Sequence, residues 1–265
     1  MMRAVLTAIA LLVVGVVGGL IGLVLVKGLP GVSGSLLWSA AERLGEAGGL
    51  RPVLTSTVVI VGGAILLVVP IGLSAATWLQ EYAPPSLWVE QVRRLIEALA
   101  GIPSVLYGLF GFSLFAVGLG WGWSHLTAMA TLALMLLPMV IQTGAEALRT
   151  VPDELREGAR ALGATRWETV RYSLFPAAAP GIVTGVLLAL GRALGESAAV
   201  LLTAGGDLRQ PQSLLDQGRP LAAHLYHLTI LDADPNRIWA TAAVLVGLVL
   251  IVQLTASWLG ARLQR

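Results

Sequence analysis

The sequence predicts an all-α integral membrane protein, six transmembrane helices forming one domain over 1–265, with both termini in the cytoplasm. Three observations predict it. At 56% hydrophobic and 12% charged residues, with a mean hydropathy of +0.82, a 265-residue chain carries more apolar surface than a water-soluble domain can bury. The apolar residues gather in six runs, about 4–26, 53–79, 95–118, 126–144, 180–204 and 238–259, each near the ~20 residues that cross a bilayer. With the N-terminus inside, ten basic residues (Arg3, Arg93, Arg94, Arg149, Arg156, Arg160, Arg166, Arg171, Arg262, Arg265) are cytoplasmic and six (Lys27, Arg43, Arg51, Arg209, Arg219, Arg237) are external, the bias that sets orientation.

The first run follows Met1-Met2-Arg3 as a signal peptide would, but it exceeds the roughly 7 to 15 apolar residues of such segments and has no small-x-small cleavage site, so it reads as a retained helix. Gly15, Gly18, Gly19 and Gly22 give it small-xxx-small spacing for close packing. Residues 27–52 and 205–237 form the two longer external connections. In the third run, Pro103 with Gly101 and Gly108 predicts an interruption. Amides freed around Gly101 and Ser104 then either face a substrate path or belong to a packing kink.

Residues 145–179 form a polar, charged cytoplasmic island between the fourth and fifth runs. Thr150-Val151-Pro152-Asp153 and Thr165-Arg166-Trp167-Glu168 are two capping boxes, each able to open a helix. Gly163 between them suits a left-handed helix end, so helix, sharp turn, helix is expected, with Pro176 stopping the second helix. Such an elbow, with Ala159, Leu162 and Trp167 as apolar knobs among charges, is a docking surface able to transmit a rigid-body push. An amphipathic helix lying on the membrane is the alternative.

In the fifth run, Gly191-Arg192-Ala193-Leu194-Gly195-Glu196-Ser197 places Arg192 and Glu196 four residues apart, on one face of a helix at membrane depth. A charge there costs about 2.5–3.5 kcal/mol on insertion scales, so that face is expected to look toward protein or water. Arg192 offers an anion a forked set of donors while Glu196 keeps binding weak enough for release. A structural ion pair fixing helix register is the other reading. Trp239 and Trp258 in the last run are 19 residues apart, about 28 Å at ~1.5 Å per residue, and read as interfacial anchors.

Several chemistries are excluded. Lys27, the sole lysine among 17 basic residues, precedes Gly28-Leu29, so the chain has no Gly-Lys-Ser/Thr phosphate loop and any ATP is handled by a partner. With no cysteines there are no disulfides, thiolate metal sites or cysteine nucleophiles. His224 and His227 lack a third strong ligand, so no metal is expected. A net charge of +2 gives no reason to expect nucleic acid.

The island resembles the ATPase-docking motif of ABC importer permeases: Glu157-Gly158-Ala159, three residues, Gly163, then Pro176 at the usual distance. Gly158, Ser173 and Phe175 stand where Ala, Ile and Leu are usual. Gln80-Glu81-Tyr82-Ala83-Pro84, the segment from Ala100 to Gly111, and Gly191 to Ser197 add a more specific resemblance to the phosphate importer permeases. It runs from about residue 53 to the C-terminus, and short length favours the PstA type over its sibling PstC. The resemblance implies a type I ABC importer permease in the bacterial inner membrane, carrying phosphate inward. Its implied partners are a PstC-like second permease, a PstB-like ATPase dimer holding ATP and magnesium, and a PstS-like extracytoplasmic binding protein. In that frame Arg192, Glu196, Ser197, Gly101 and Ser104 line the substrate path, and Glu157, Gly158, Ala159, Leu162, Gly163, Trp167 and Pro176 couple to the ATPase. A permease for another oxyanion such as molybdate or tungstate, an ion-gradient carrier working alone and a non-transporting membrane scaffold are the rivals.

Overall fold

Long apolar runs with few backbone breakers dictate long helices, because in lipid every backbone amide must find its partner within the segment. The computed structural model describes residues 2–42, 45 and 47–263; Arg43 and Arg265, counted in the charge balance, lie outside them. The helices are α1 (Met2–Gly28), α2 (Gly34–Trp38), α3 (Arg51–Thr77), α4 (Leu87–Ala100), α5 (Ser104–Gly111), α6 (His125–Arg149), α7 (Asp153–Ala161), α8 (Arg166–Thr169), α9 (Phe175–Leu194), α10 (Ala198–Thr203), α11 (Leu221–Ile230) and α12 (Pro235–Leu263). Wide i→i+5 turns extend α3 through Tyr82, extend α5 through Gly118 and join α8 to α9 over Val170–Leu174. A two-residue antiparallel pair, β1 (Ala41–Glu42) with β2 (Ala47–Gly48), lies in the external connection.

Among the described residues, five helical stretches are long and apolar enough to cross a membrane, and α4 with the extended α5 makes a sixth only as a pair bent by 100°. The interruption expected in the third run therefore forms, as a sharp bend at Gly101–Pro103. Gly101 and Pro103 supply the reason: Pro103 has no amide to donate, and the residue before it is steered out of helical geometry.

The core lies where α3, α6, α9 and α10 meet, filled by Ile60, Ala64 and Val68, by Leu132, Leu136 and Val140, and by Ala189, Ala193, Ala199 and Val200. Small residues let the backbones approach: a Cβ on Gly72 would sit 2.7 Å from Val140, and one on Gly185 2.5 Å from Thr143. The helix α1 is peripheral and antiparallel to α12, with Gly28 against the Trp239 carbonyl. A Cβ on Gly15, Gly18, Gly19 or Gly22 would meet nothing within 4 Å, so among the described residues their spacing packs no neighbouring helix. Lys27 lies over the Trp239 ring at 4.9 Å and Arg262 over Trp258 at 4.0 Å, consistent with two interfacial levels.

The N-terminal end of α1 and the C-terminal end of α12 share the side of α7 and α8, which the arginine distribution makes cytoplasmic. On the opposite side, Arg237 gathers the carbonyls of Gly45, Ala47 and Gly48, and His125 joins Ser56 to the Asp216 carbonyl. These bonds give the external loops a fixed shape.

Candidate substrate path and coupling surface

The coupling elbow forms as helix, glycine turn, helix. Gly163 closes α7 at φ +83°, the left-handed region a Cβ disfavours. Thr165 and Glu168 complete a full capping box on α8, whose hydrogen bonds hold the Glu168 carboxyl below the usual carboxylate range. The other box does not form. Pro152 occupies the cap of α7, and the Thr150 hydroxyl donates back to the Ala147 carbonyl at 2.9 Å.

Leu162 is 91% exposed and Trp167 57%, and Glu157 and Gly158 are exposed, so two of the three apolar knobs stand free at the elbow while Ala159 is half-buried. Pro176 does not stop the helix. It sits in the first turn of α9, and the wide turn before it, in which Phe175 N–H donates to Val170 O, absorbs the mismatch. Arg166 to Leu194 is thus one 29-residue helical stretch.

One pair went unread in the sequence. Arg156, in α7, donates to Glu81 at the end of α3 (2.9 Å), to the carbonyls of Leu148 and Val151 (both 2.7 Å) and to Asp153 (3.0 Å). Its side chain is 12% exposed and that of Glu81 8%, and the Glu81 hydrogen bond raises the guanidinium above its ordinary value. A lone carboxylate at the end of an apolar run was the available signal; its partner, 75 positions away, had none.

The path residues are rearranged relative to expectation. The predicted continuous fifth span breaks: α9 ends at Leu194, Gly195 is a turn, and α10 starts at Ala198. Glu196 therefore does not share a helix face with Arg192, and among the described residues no ion pair joins them. Instead Glu196 caps α10, its Oε1 accepting from the Ala199 amide at 3.2 Å. Ser197 lies in the break, half-buried. The sequence Gly195-Glu196-Ser197, a flexible residue followed by two capping types, explains why the helix stops.

Arg192 is exposed on a stripe with Gly181, Thr184 and Leu188, spaced three and four apart along α9. Gly185 meets Thr143 and Gly191 meets Gln253, so this stripe lies within the length of α6 and α12 rather than at their ends. The Tyr107 hydroxyl donates to the Leu99 carbonyl at 2.8 Å across the α4–α5 bend. Gly108 lies directly against Ala199. The two interrupted helices thus meet, with Gly101 exposed and Ser104 half-buried at one break and Arg192 before the other. Such interruptions are tolerated at depth where protein or water covers them, and here the Gly101, Ile102 and Glu196 amides donate to the Ala98, Leu99 and Ala193 carbonyls.

Comparison with known proteins agrees with this architecture. Residues 68–265 match the family described as binding-protein-dependent transport system inner membrane component. The chain is 30% identical to the probable ABC transporter permease protein YqgI of Bacillus subtilis, covering 97% of this chain and 92% of that protein. It is 35% identical to the phosphate transport system permease protein PstA of Haemophilus influenzae (86% and 81% covered). Among solved structures, the MetNI methionine ABC transporter in an inward-facing conformation superposes with TM-score 0.68 at 20% identity over 82% of this chain and 96% of that chain. A bacterial alginate ABC transporter reaches 0.71 at 14% identity over 99% and 94%. The chain belongs to the binding-protein-dependent transport system inner membrane component family and is a multi-pass permease of the bacterial inner membrane with a type I ABC importer fold.

Proposed function

We propose that this chain is the PstA-type permease half of an importer carrying inorganic phosphate inward, driven by ATP and magnesium on a partner ATPase. The observation that carries the substrate reading is Arg192: charged, without an ion-pair partner among the described residues, on an exposed stripe at membrane depth beside two helix breaks. Lipid on that stripe would leave the charge unsolvated, so a second permease subunit and a water-filled path cover it. The relatives named as phosphate permeases support the choice of anion. Arg192 contacts phosphate, and Glu196, Ser197, Gly101 and Ser104 shape the break through which it passes. The elbow of Glu157, Gly158, Ala159, Leu162, Gly163 and Trp167 seats in the ATPase, and an extracytoplasmic binding protein delivers the anion to the opposite side.

The test is co-purification of the complex, reconstitution in vesicles and uptake of radiolabelled phosphate with molybdate and tungstate as competitors. ATP-dependent phosphate uptake is expected. Preferential block by molybdate or tungstate overturns the choice of anion, and uptake by this polypeptide alone overturns the ATP-driven reading.

A further inference from the structure

Glu81 and Arg156 join parts of the chain that the proposed docking reading would otherwise leave mechanically separate. Arg156 rises from the first half of α7, and besides Glu81 it holds the carbonyls of Leu148, near the C-terminal end of α6, and of Val151, in the turn that follows. The end of α6, the body of α7 and the end of α3 are therefore fastened at one guanidinium. Beside it, Tyr82 packs on Ala147, Leu148, Val151, Val170, Leu174 and Ala178, so the junction has an apolar floor. From the same end of α3, the Leu79 carbonyl accepts a hydrogen bond from Arg93 of α4, the arm that leads to the Gly101–Pro103 break.

We propose that the Glu81–Arg156 pair is a positioning link that carries displacement of the cytoplasmic elbow into α3 and, through Leu79 and Arg93, into the bent α4–α5 helix. This rests on the reading of the elbow as the ATPase contact. A buried charge deprived of its partner is left uncompensated, so the two side chains move together rather than part. A sequence of contacts is not itself coupling, so the link is defined by what its loss does to transport.

The test uses the whole complex of permease, second permease, ATPase and binding protein in vesicles. Glu81→Gln is expected to leave ATPase co-purification at its normal stoichiometry while phosphate moved per ATP falls about tenfold, within the usual range of coupling effects. Because the chain has no cysteines, Glu81→Cys with Arg156→Cys can be bridged selectively by a short thiol-reactive crosslinker with a reducible spacer. The unbridged double variant is expected to be equally uncoupled, bridging to restore most of the ratio, and reductant to abolish the restoration. A normal ratio in Glu81→Gln overturns the link. So does loss of complex assembly together with uptake, or a bridge that restores assembly without the ratio. Leu162→Asp separates the underlying reading: ATPase binding that survives it overturns elbow docking alone, while the Glu81→Gln ratio still decides the link.

Discussion

Gly163 offers the cleanest perturbation of the elbow. Its φ is +83°, and a Cβ built there meets nothing within 4 Å, so substitution adds backbone strain without a steric clash. A residue with a Cβ pays about 1–2 kcal/mol in the left-handed region. Where relaxed elbow shapes compete, that strain lowers the docking-competent fraction by about 5- to 30-fold, since each ~1.4 kcal/mol is a factor of ten. Gly163→Ala should therefore weaken ATPase binding by about that factor, and Gly163→Asn by less, because asparagine tolerates this geometry. Gly163→Pro should abolish coupling: its ring locks φ near about −65° and removes the amide that donates to the Arg160 carbonyl at 2.9 Å. Titrating purified ATPase against permease in lipid nanodiscs, with hydrolysis and uptake measured in parallel, reads the series. Equal affinity for the unsubstituted protein and for its alanine and asparagine variants would refute the reasoning, because it would mean the left-handed turn is not the docking shape.

Arg192→Ala should cut phosphate uptake by about 10- to 100-fold with the complex still assembled, from loss of charge-assisted hydrogen bonds worth about 1.5–3 kcal/mol. Arg192→Lys should fall between, keeping the charge but not the fork; normal uptake kinetics in the alanine variant would count against an anion contact. Gly108→Ala would put a Cβ 2.9 Å from Ala199 Cα and 3.2 Å from its carbonyl oxygen, overpacking the meeting of α5 and α10 by about 1–3 kcal/mol. A lower melting temperature in detergent and reduced uptake should follow, and an unchanged melting temperature would contradict the contact. The capping box gives a pH expectation: the Glu168 carboxyl is depressed chiefly by its hydrogen bond from the Thr165 amide, so its stabilisation is present above the unfolded value and lost as pH falls through the folded one. Protection of the Thr165 and Glu168 amides, taken as the observed exchange rate against the intrinsic rate at each pH, should hold through neutral pH and fall only below the ordinary carboxylate range; absence of protection at neutral pH would show that the box is not formed.

What could be read from the sequence was local. Length and apolarity placed four long apolar helices within about five residues at each end, and Gly163, Thr165 and Glu168 announced their turn and cap because glycine freedom and side-chain capping act over three or four positions. The break at Gly101–Pro103 was equally visible, though not that it bends the chain by 100° and removes a straight span. The fifth span misled for a physical reason. Apolar residues resume at Ala198 after Gly195-Glu196-Ser197, and composition does not reveal that Glu196 caps the Ala199 amide rather than facing Arg192. The Glu81–Arg156 junction was out of reach because its geometry is set by the folding of α3 against α6.

The two corrections at the fifth span fit one mechanical requirement. With Pro176 tolerated in a first turn instead of ending a helix, the 29 residues from Arg166 to Leu194 form a single stretch of about 43 Å at ~1.5 Å per residue. Trp167 stands exposed at its cytoplasmic end and Arg192 near its other end, immediately before the break at Gly195. A helix stiff along its length turns a push on Trp167 into displacement of Arg192, and the break beyond it lets that end move without dragging α10, which is fixed to the external loops by the bond from Ser124 to the Thr203 carbonyl. Had the span run unbroken to Thr203, the arginine would be tied to the external loops and the same push would have to move both. On the proposed reading of Arg192 as the anion contact, the break after it lets a cytoplasmic motion reach that side chain while the outer surface keeps its shape.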